Sequence, residues 1–84
     1  MNNASVASGA WTLQNSPTYA DFPYRASISV TGATTDLFPE VVLSPADATS
    51  GNYAPVAESI TDAVYIYANA DGAVALSIPT IIVH

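Results

Sequence analysis

Hydrophobic and polar side chains alternate along two stretches of this chain, and the alternation predicts strands. From Tyr24 to Thr31 (YRASISVT), Ala26, Ile28 and Val30 point one way while Arg25, Ser27, Ser29 and Thr31 point the other. A period of two over such a run marks a half-buried strand. From Ala63 to Asn69 (AVYIYAN), Val64, Ile66 and Ala68 oppose Tyr65 and Tyr67 in the same way. Phe38–Ser44 (FPEVVLS) is a further strand, with Pro39 near its start, where a missing donor is tolerated. Ala73–His84 (AVALSIPTIIVH) reads as a return strand, joined to Ala63–Asn69 by Ala70-Asp71-Gly72, whose Asp-Gly pair suits a tight hairpin. Pro79 cannot donate to a ladder, so this strand is expected at an edge or bent at that point.

Between the strands lie segments of turn chemistry. Met1–Gly9 (MNNASVASG) has no periodicity and reads as a linker or a cloning remnant, with a single β domain over 10–84. Order is expected from Ala10–Leu13, with Trp11 and Leu13 on one face of a short strand. Gln14–Pro23 is a loop, pinned by Tyr19 and Phe22, and Gly32–Asp36 is a turn. The irregular stretch from Pro45 to Thr61 has room for one helical turn, at Pro45–Ala48 or at Val56–Ile60. The sum is an all-β fold: a small antiparallel sandwich or barrel of five or six short strands with little helix.

Composition narrows the functions open to such a fold. The chain has 84 residues, 50% of them hydrophobic and 10% charged, with seven carboxylates, no cysteine and a single cation, Arg25. A formal charge of -6 disfavours nucleic acid, because phosphate binding draws on several Lys or Arg side chains. It equally disfavours anionic membrane surfaces. Met1–Ala10 has neither the positive region nor the apolar core of a secretory signal, and the longest apolar run, Ala63–Ala68, is far too short to span a bilayer. A soluble protein is expected. Small domains often need disulfides, metal or association to supplement their core. Without cysteine, and with only His84 and carboxylates as metal ligands, association is the route left.

The inventory for catalysis is thin. A nucleophilic triad needs a base beside Ser, Thr or Cys, and the only histidine is the terminal His84, expected in solvent. Asp21, Asp36, Glu40, Asp47, Glu58, Asp62 and Asp71 are spread mainly through turns, without the spacing of a calcium loop. Glu40 and Glu58 are the candidate pair for glycoside hydrolysis, and nothing in their spacing favours it. Asn3-Ala4-Ser5 matches a glycosylation sequon by chance. No catalytic residue, cofactor or metal is expected. The tyrosines have three readings: cross-strand packing, a subunit interface, or a sugar-stacking surface using Tyr53, Tyr65 or Tyr67. Arg25 is expected to pair with a carboxylate, within the chain or across an interface.

Several short motifs recur together. They are Trp11, the strand Ala26–Thr34 (ASISVTGAT), Val41–Pro45 (VVLSP), the loop Ser50–Glu58 (SGNYAPVAE), and the ending Val64–Ala68 (VYIYA) with Ile78–Val83 (IPTIIV). In these the tract from Trp11 to His84 resembles a small β-rich module of bacteriophage and prophage fibre or appendage proteins from low-GC Gram-positive hosts. The resemblance implies a non-enzymatic virion structural module, assembled in the host cytoplasm, that forms a homotrimer and presents loops. Its partners would be copies of itself, other virion proteins and a host-surface glycan, with no nucleic acid and no membrane. A full fibre would carry an N-terminal attachment region, and here only Met1–Ala10 precedes the module. The resemblance transfers no functional residue.

An interface can be expected from the residues themselves. From Ile81 to Val83 both rows of the last strand are apolar, which calls for cover on both faces, and a neighbouring subunit would supply it. The expected oligomer contacts are Tyr65, Tyr67, Ile78, Ile81, Ile82 and Val83. Tyr53 is the expected ligand-binding residue of the alternative reading, a carbohydrate- or receptor-binding module on the virion or cell surface.

Overall fold

The computed structural model describes residues 2–15, 19–54 and 56–83, the side chains of residues 2 and 3 excepted. It is a small, mainly β protein, with seven strands in two sheets among the described residues. These are β1 (Asn2–Val6), β2 (Thr12–Leu13), β3 (Tyr24–Ser29), β4 (Pro39–Val42), β5 (Glu58–Ile60), β6 (Ala63–Ala68) and β7 (Leu76–Val83). One sheet has the order β1-β7-β4 and the other β2-β3-β6-β5, with every pair antiparallel. The two sheets share one core. Val6, Leu76, Ile78 and Ile81 enter it from the first sheet, and Ala26, Ile28, Val64, Ile66 and Ala68 from the second.

The two strongly alternating segments behave as their pattern predicts. β3 and β6 pair from Tyr24↔Ala68 to Ser29↔Ala63, so Ala26 and Ile28 lie beside Ile66 and Val64 on the core side. β5 joins β6 through Thr61-Asp62, where Asp62 holds φ 57. Left-handed backbone suits Asp better than most side chains. Here the turn is also tied down. The Asp62 carbonyl accepts from Val30 N–H at 2.9 Å, its N–H donates to the Ala33 carbonyl at 2.9 Å, and its Oδ1 accepts from Gly32 N–H at 3.1 Å.

Three expectations are corrected, and one alternative is decided. The segment read as a linker supplies β1, because Val6 is buried beside Leu76 and the strand gains a full ladder on β7. Its polar residues are tolerated because, among its described side chains, only Ala4 and Val6 turn towards the core. The strand expected at Ala10–Leu13 is shortened to β2 by a 3-10 turn at Ser8–Ala10, so Trp11 is buried while Leu13 is 59% exposed. Of the two places expected for a helical turn, the structure takes the one at Pro45, while 58–60 are strand β5. The helical turn is α1 (Pro45–Thr49), where Pro45 sits in the first turn and Ser44 caps it by accepting from Asp47 N–H at 3.3 Å.

The third correction concerns the hairpin. β6 and β7 belong to different sheets, so residues 69–75 are a crossover rather than a hairpin turn. Gly72 does not adopt positive φ; its role is steric. A Cβ there would sit 2.8 Å from the Asn52 carbonyl oxygen, which is backbone and cannot swing aside. Gly72→Ala should therefore cost about 1–3 kcal/mol, in line with overpacking elsewhere. Equilibrium urea denaturation checks this, and an unchanged midpoint would refute the crowding.

β7 lies at the centre of its sheet, not at an edge. Pro79 fits because β1 pairs with 76–80 and β4 only with 80–83. The buried positions of β7 run Leu76, Ile78, Ile81, so the alternation slips by one across Pro79-Thr80. The slip places Ile81 in the core and turns Ile82 outward, 43% exposed.

Candidate functional site

A groove of about 520 Å³ opens where the edge of one sheet faces the edge of the other. One wall is Phe38, Pro39, Glu40, Val41 and Leu43, consecutive β4 positions and their flanks. Neighbouring residues of a strand point to opposite faces. A cavity touching all of them must therefore run along the strand's edge. The opposite wall comes from α1 (Asp47, Ala48) and from Tyr53, Ala54, Val56 and Ala57.

That second wall exists because the chain leaves β6 and returns to it. Tyr53 bridges to Ala68, and Ala54 N–H donates to the Tyr67 carbonyl at 3.0 Å. β5 rejoins only at Glu58↔Tyr65. Residues 56 and 57 do not pair with Ile66, and the groove reaches Ile66, Tyr67 and Leu76 at its floor. Phe38 and Val56 line it while exposing 77% and 46% of their surface.

Tyr53 is half-buried, with its ring 6.2 Å from that of Trp11 and tilted by 33°. Burial pushes its phenol above the ordinary tyrosine value of 10.0, and the nearby Asp47 carboxylate adds to the rise. The sign of the linkage follows. The folded state prefers the neutral phenol, so its contribution is intact below about pH 10 and is lost as pH rises through the folded pKa. Tyr53→Phe should remove that part of the alkaline loss of stability. Asp47→Asn should lower the Tyr53 pKa only partly, because burial is the larger cause. Absorbance titration of the single variants against the parent measures both effects, and an unshifted titration in Asp47→Asn would exclude the charge contribution.

The other expected site residues lie apart from the groove or play different parts. Tyr65 lies on the outer face of the β2-β3-β6-β5 sheet, where the Arg25 guanidinium stacks 4.1 Å from its ring centroid. Within the chain, Arg25 forms no ion pair among the described residues and stacks on Tyr65 instead. Tyr67 is buried. Tyr19 packs edge-on against it at 4.9 Å, and the Tyr67 hydroxyl donates to Glu58 Oε1 at 2.8 Å. Ile78 and Ile81 are 0% and 1% exposed within one chain, so their apolar character is satisfied by the chain's own core. Val83 is half-buried against that core. Of the expected interface residues, Ile82 and Tyr65 retain the most freedom to meet another molecule.

Glu40 stands on β4 and Glu58 on β5, in different sheets, with Glu58 engaged by Tyr67. Among the described residues no group of three or more His, Cys, Asp or Glu gathers as metal ligands would, and no helix is long and apolar enough to cross a membrane. His84 lies outside the described residues. Phe38, Leu43, Val56 and Ala57 were not singled out by sequence reasoning. They are ordinary strand and loop residues, and only the meeting of two sheet edges makes them a site. No family profile, curated protein or solved structure shows significant similarity to the chain.

Proposed function

We propose that this protein is a non-enzymatic assembly module: a small antiparallel β-sandwich that self-associates, as a homotrimer, within a virion appendage. The sandwich reading is supported by the shared core, to which both sheets contribute. The virion setting and the number of copies rest on the resemblance of the tract Trp11–His84.

The observation that carries self-association is the outer face of the β1-β7-β4 sheet. Val42 and Ile82 are each 43% exposed there, next to Thr80, Pro79, Ser77 and Ser5, with Glu40 the one charged side chain among the described residues of that face. A face this poor in charge, on a protein otherwise acidic, is suited to burial against its own copies. The sugar-binding alternative has less behind it. One face of Tyr65 is taken by Arg25, and Tyr53 is packed towards Trp11.

Light scattering at micromolar concentration tests the reading. A mass of three chains is expected, falling to one chain of 8.7 kDa in Ile82→Lys. A monomeric parent protein would overturn it.

A further inference from the structure

We propose that the groove binds a small organic cation, an apolar body carrying one ammonium group, with its head at Asp47 and Tyr53 and its body over Leu43, Ile66 and Leu76. The groove holds about 520 Å³, within the usual range for small-molecule sites. Such sites are mostly apolar and carry a few placed polar groups that orient the ligand. This one has that form. Ile66 and Leu76 are buried core residues, and with the half-buried Leu43 they make an apolar floor. Phe38 and Val56, both largely exposed, extend the apolar lining at the mouth.

The sign of the ligand's charge follows from the wall. Asp47 is half-buried, and its carboxylate stands near enough to Tyr53 to raise the phenol's pKa. Both residues line the groove. The Ser44 hydroxyl donates to Asp47 Oδ2 at 3.0 Å, which holds the carboxylate in place, and among the described residues no donor reaches Oδ1. The one cationic side chain, Arg25, is stacked on Tyr65 on the outer face of the other sheet. A carboxylate shielded from water acts on a nearby charge more strongly than one in full solvent. An ammonium group brings three N–H donors, enough to serve Asp47 and the Tyr53 oxygen together. An anionic head would be repelled, and a neutral one would gain little from the charge.

This site goes beyond the assembly role and is separate from it. Val42 and Ile82 lie outside the groove, and Glu40 alone borders both surfaces. The head group is assigned to Asp47 because the effect on Tyr53 places that carboxylate at the groove.

The test titrates the full chain at neutral pH with 2-phenylethylamine, which is cationic there, and with its neutral counterpart 2-phenylethanol. Amide spectra recorded by NMR should shift at Leu43, Ala48, Tyr53 and Ala57, with a Kd for the amine on the order of 1 mM. The alcohol should bind the same groove about tenfold more weakly at low salt. Asp47→Asn should bind amine and alcohol alike, and its retained affinity for the alcohol shows that the groove is still formed. Ala48→Trp, at an exposed wall position, should abolish binding of both and leave the mass in light scattering unchanged. Absence of shifts at about 10 mM amine, equal binding of amine and alcohol by the parent, or an undiminished preference in Asp47→Asn overturns the proposal. A lower mass in Ala48→Trp does so too, because a second copy would then be the occupant. A monomeric parent that binds the amine would sink the assembly reading and uphold this one.

Discussion

Trp11→Ala is expected to destabilise the protein by about 3–5 kcal/mol, the usual range for removing a large buried aromatic side chain. Trp11 is 9% exposed and precedes β2, yet its contacts lie far along the chain. Its indole Nε1 donates to the Val74 carbonyl at 2.8 Å, which fastens the crossover between β6 and β7. Its ring faces Tyr53, which bridges to β6 and lines the groove. One side chain thus links the start of the second sheet, the passage to the first, and the groove wall. In a domain of this size each kcal/mol lowers Tm by about 4–8 °C, so the loss is large enough to read by thermal melting. Trp11→Phe keeps most of the apolar area and leaves the Val74 carbonyl without its donor, at an expected ~1–3 kcal/mol. If the two variants melt together, the hydrogen bond rather than packing carries the effect. A change below about 1 kcal/mol in Trp11→Ala would remove this residue from its place in the fold.

The second large effect is expected at Ile78→Ala, about 2–5 kcal/mol. Ile78 is fully buried at the centre of β7, opposite Ala4 of β1, and lies in the core shared by both sheets. The informative control is Ile82→Ala, four positions along the same strand. Without the slip across Pro79-Thr80, Ile78 and Ile82 would share a face and have comparable burial. With it, Ile82 faces outward and its loss in a monomeric chain should change stability by no more than about 0.5 kcal/mol. Urea denaturation of the two variants at low protein concentration compares them directly. Equal costs would show that the alternation runs unbroken and that Ile82 belongs to the core.

The contrast between these isoleucines shows where sequence reasoning reached its limit. The apolar run Ile81–Val83 was read as a strand greasy on both sides and therefore in need of a neighbouring subunit. A phase slip satisfies two rows within one chain. Ile78 ends one buried row and Ile81 begins the next, leaving only Ile82 clearly turned to solvent. Periodicity assumes an unbroken register, and Pro79 signalled a bend without giving its consequence. Tyr67 teaches the same lesson from the polar side. Its row was correctly separated from Val64 and Ile66, yet Tyr19 and Glu58 cover it, and no pattern local to β6 shows that.

The sequence by itself determined β3 and β6, the strand at Phe38–Ser44, the late strand carrying Ile78 and Ile81, and the mainly β class. β3 and β6 are written in nearest-neighbour alternation, which reports the two faces of a strand directly, and the other two in runs of β-branched and apolar residues. Tertiary structure alone decided that Asn2–Val6 joins β7, that β6 and β7 part into separate sheets, and that β4 and Tyr53 line one groove. These depend on pairings between residues distant in the chain, set by which edges meet and what backbone approaches Gly72. Local pattern says which face of a strand is buried; only the assembled sheets say what lies alongside it.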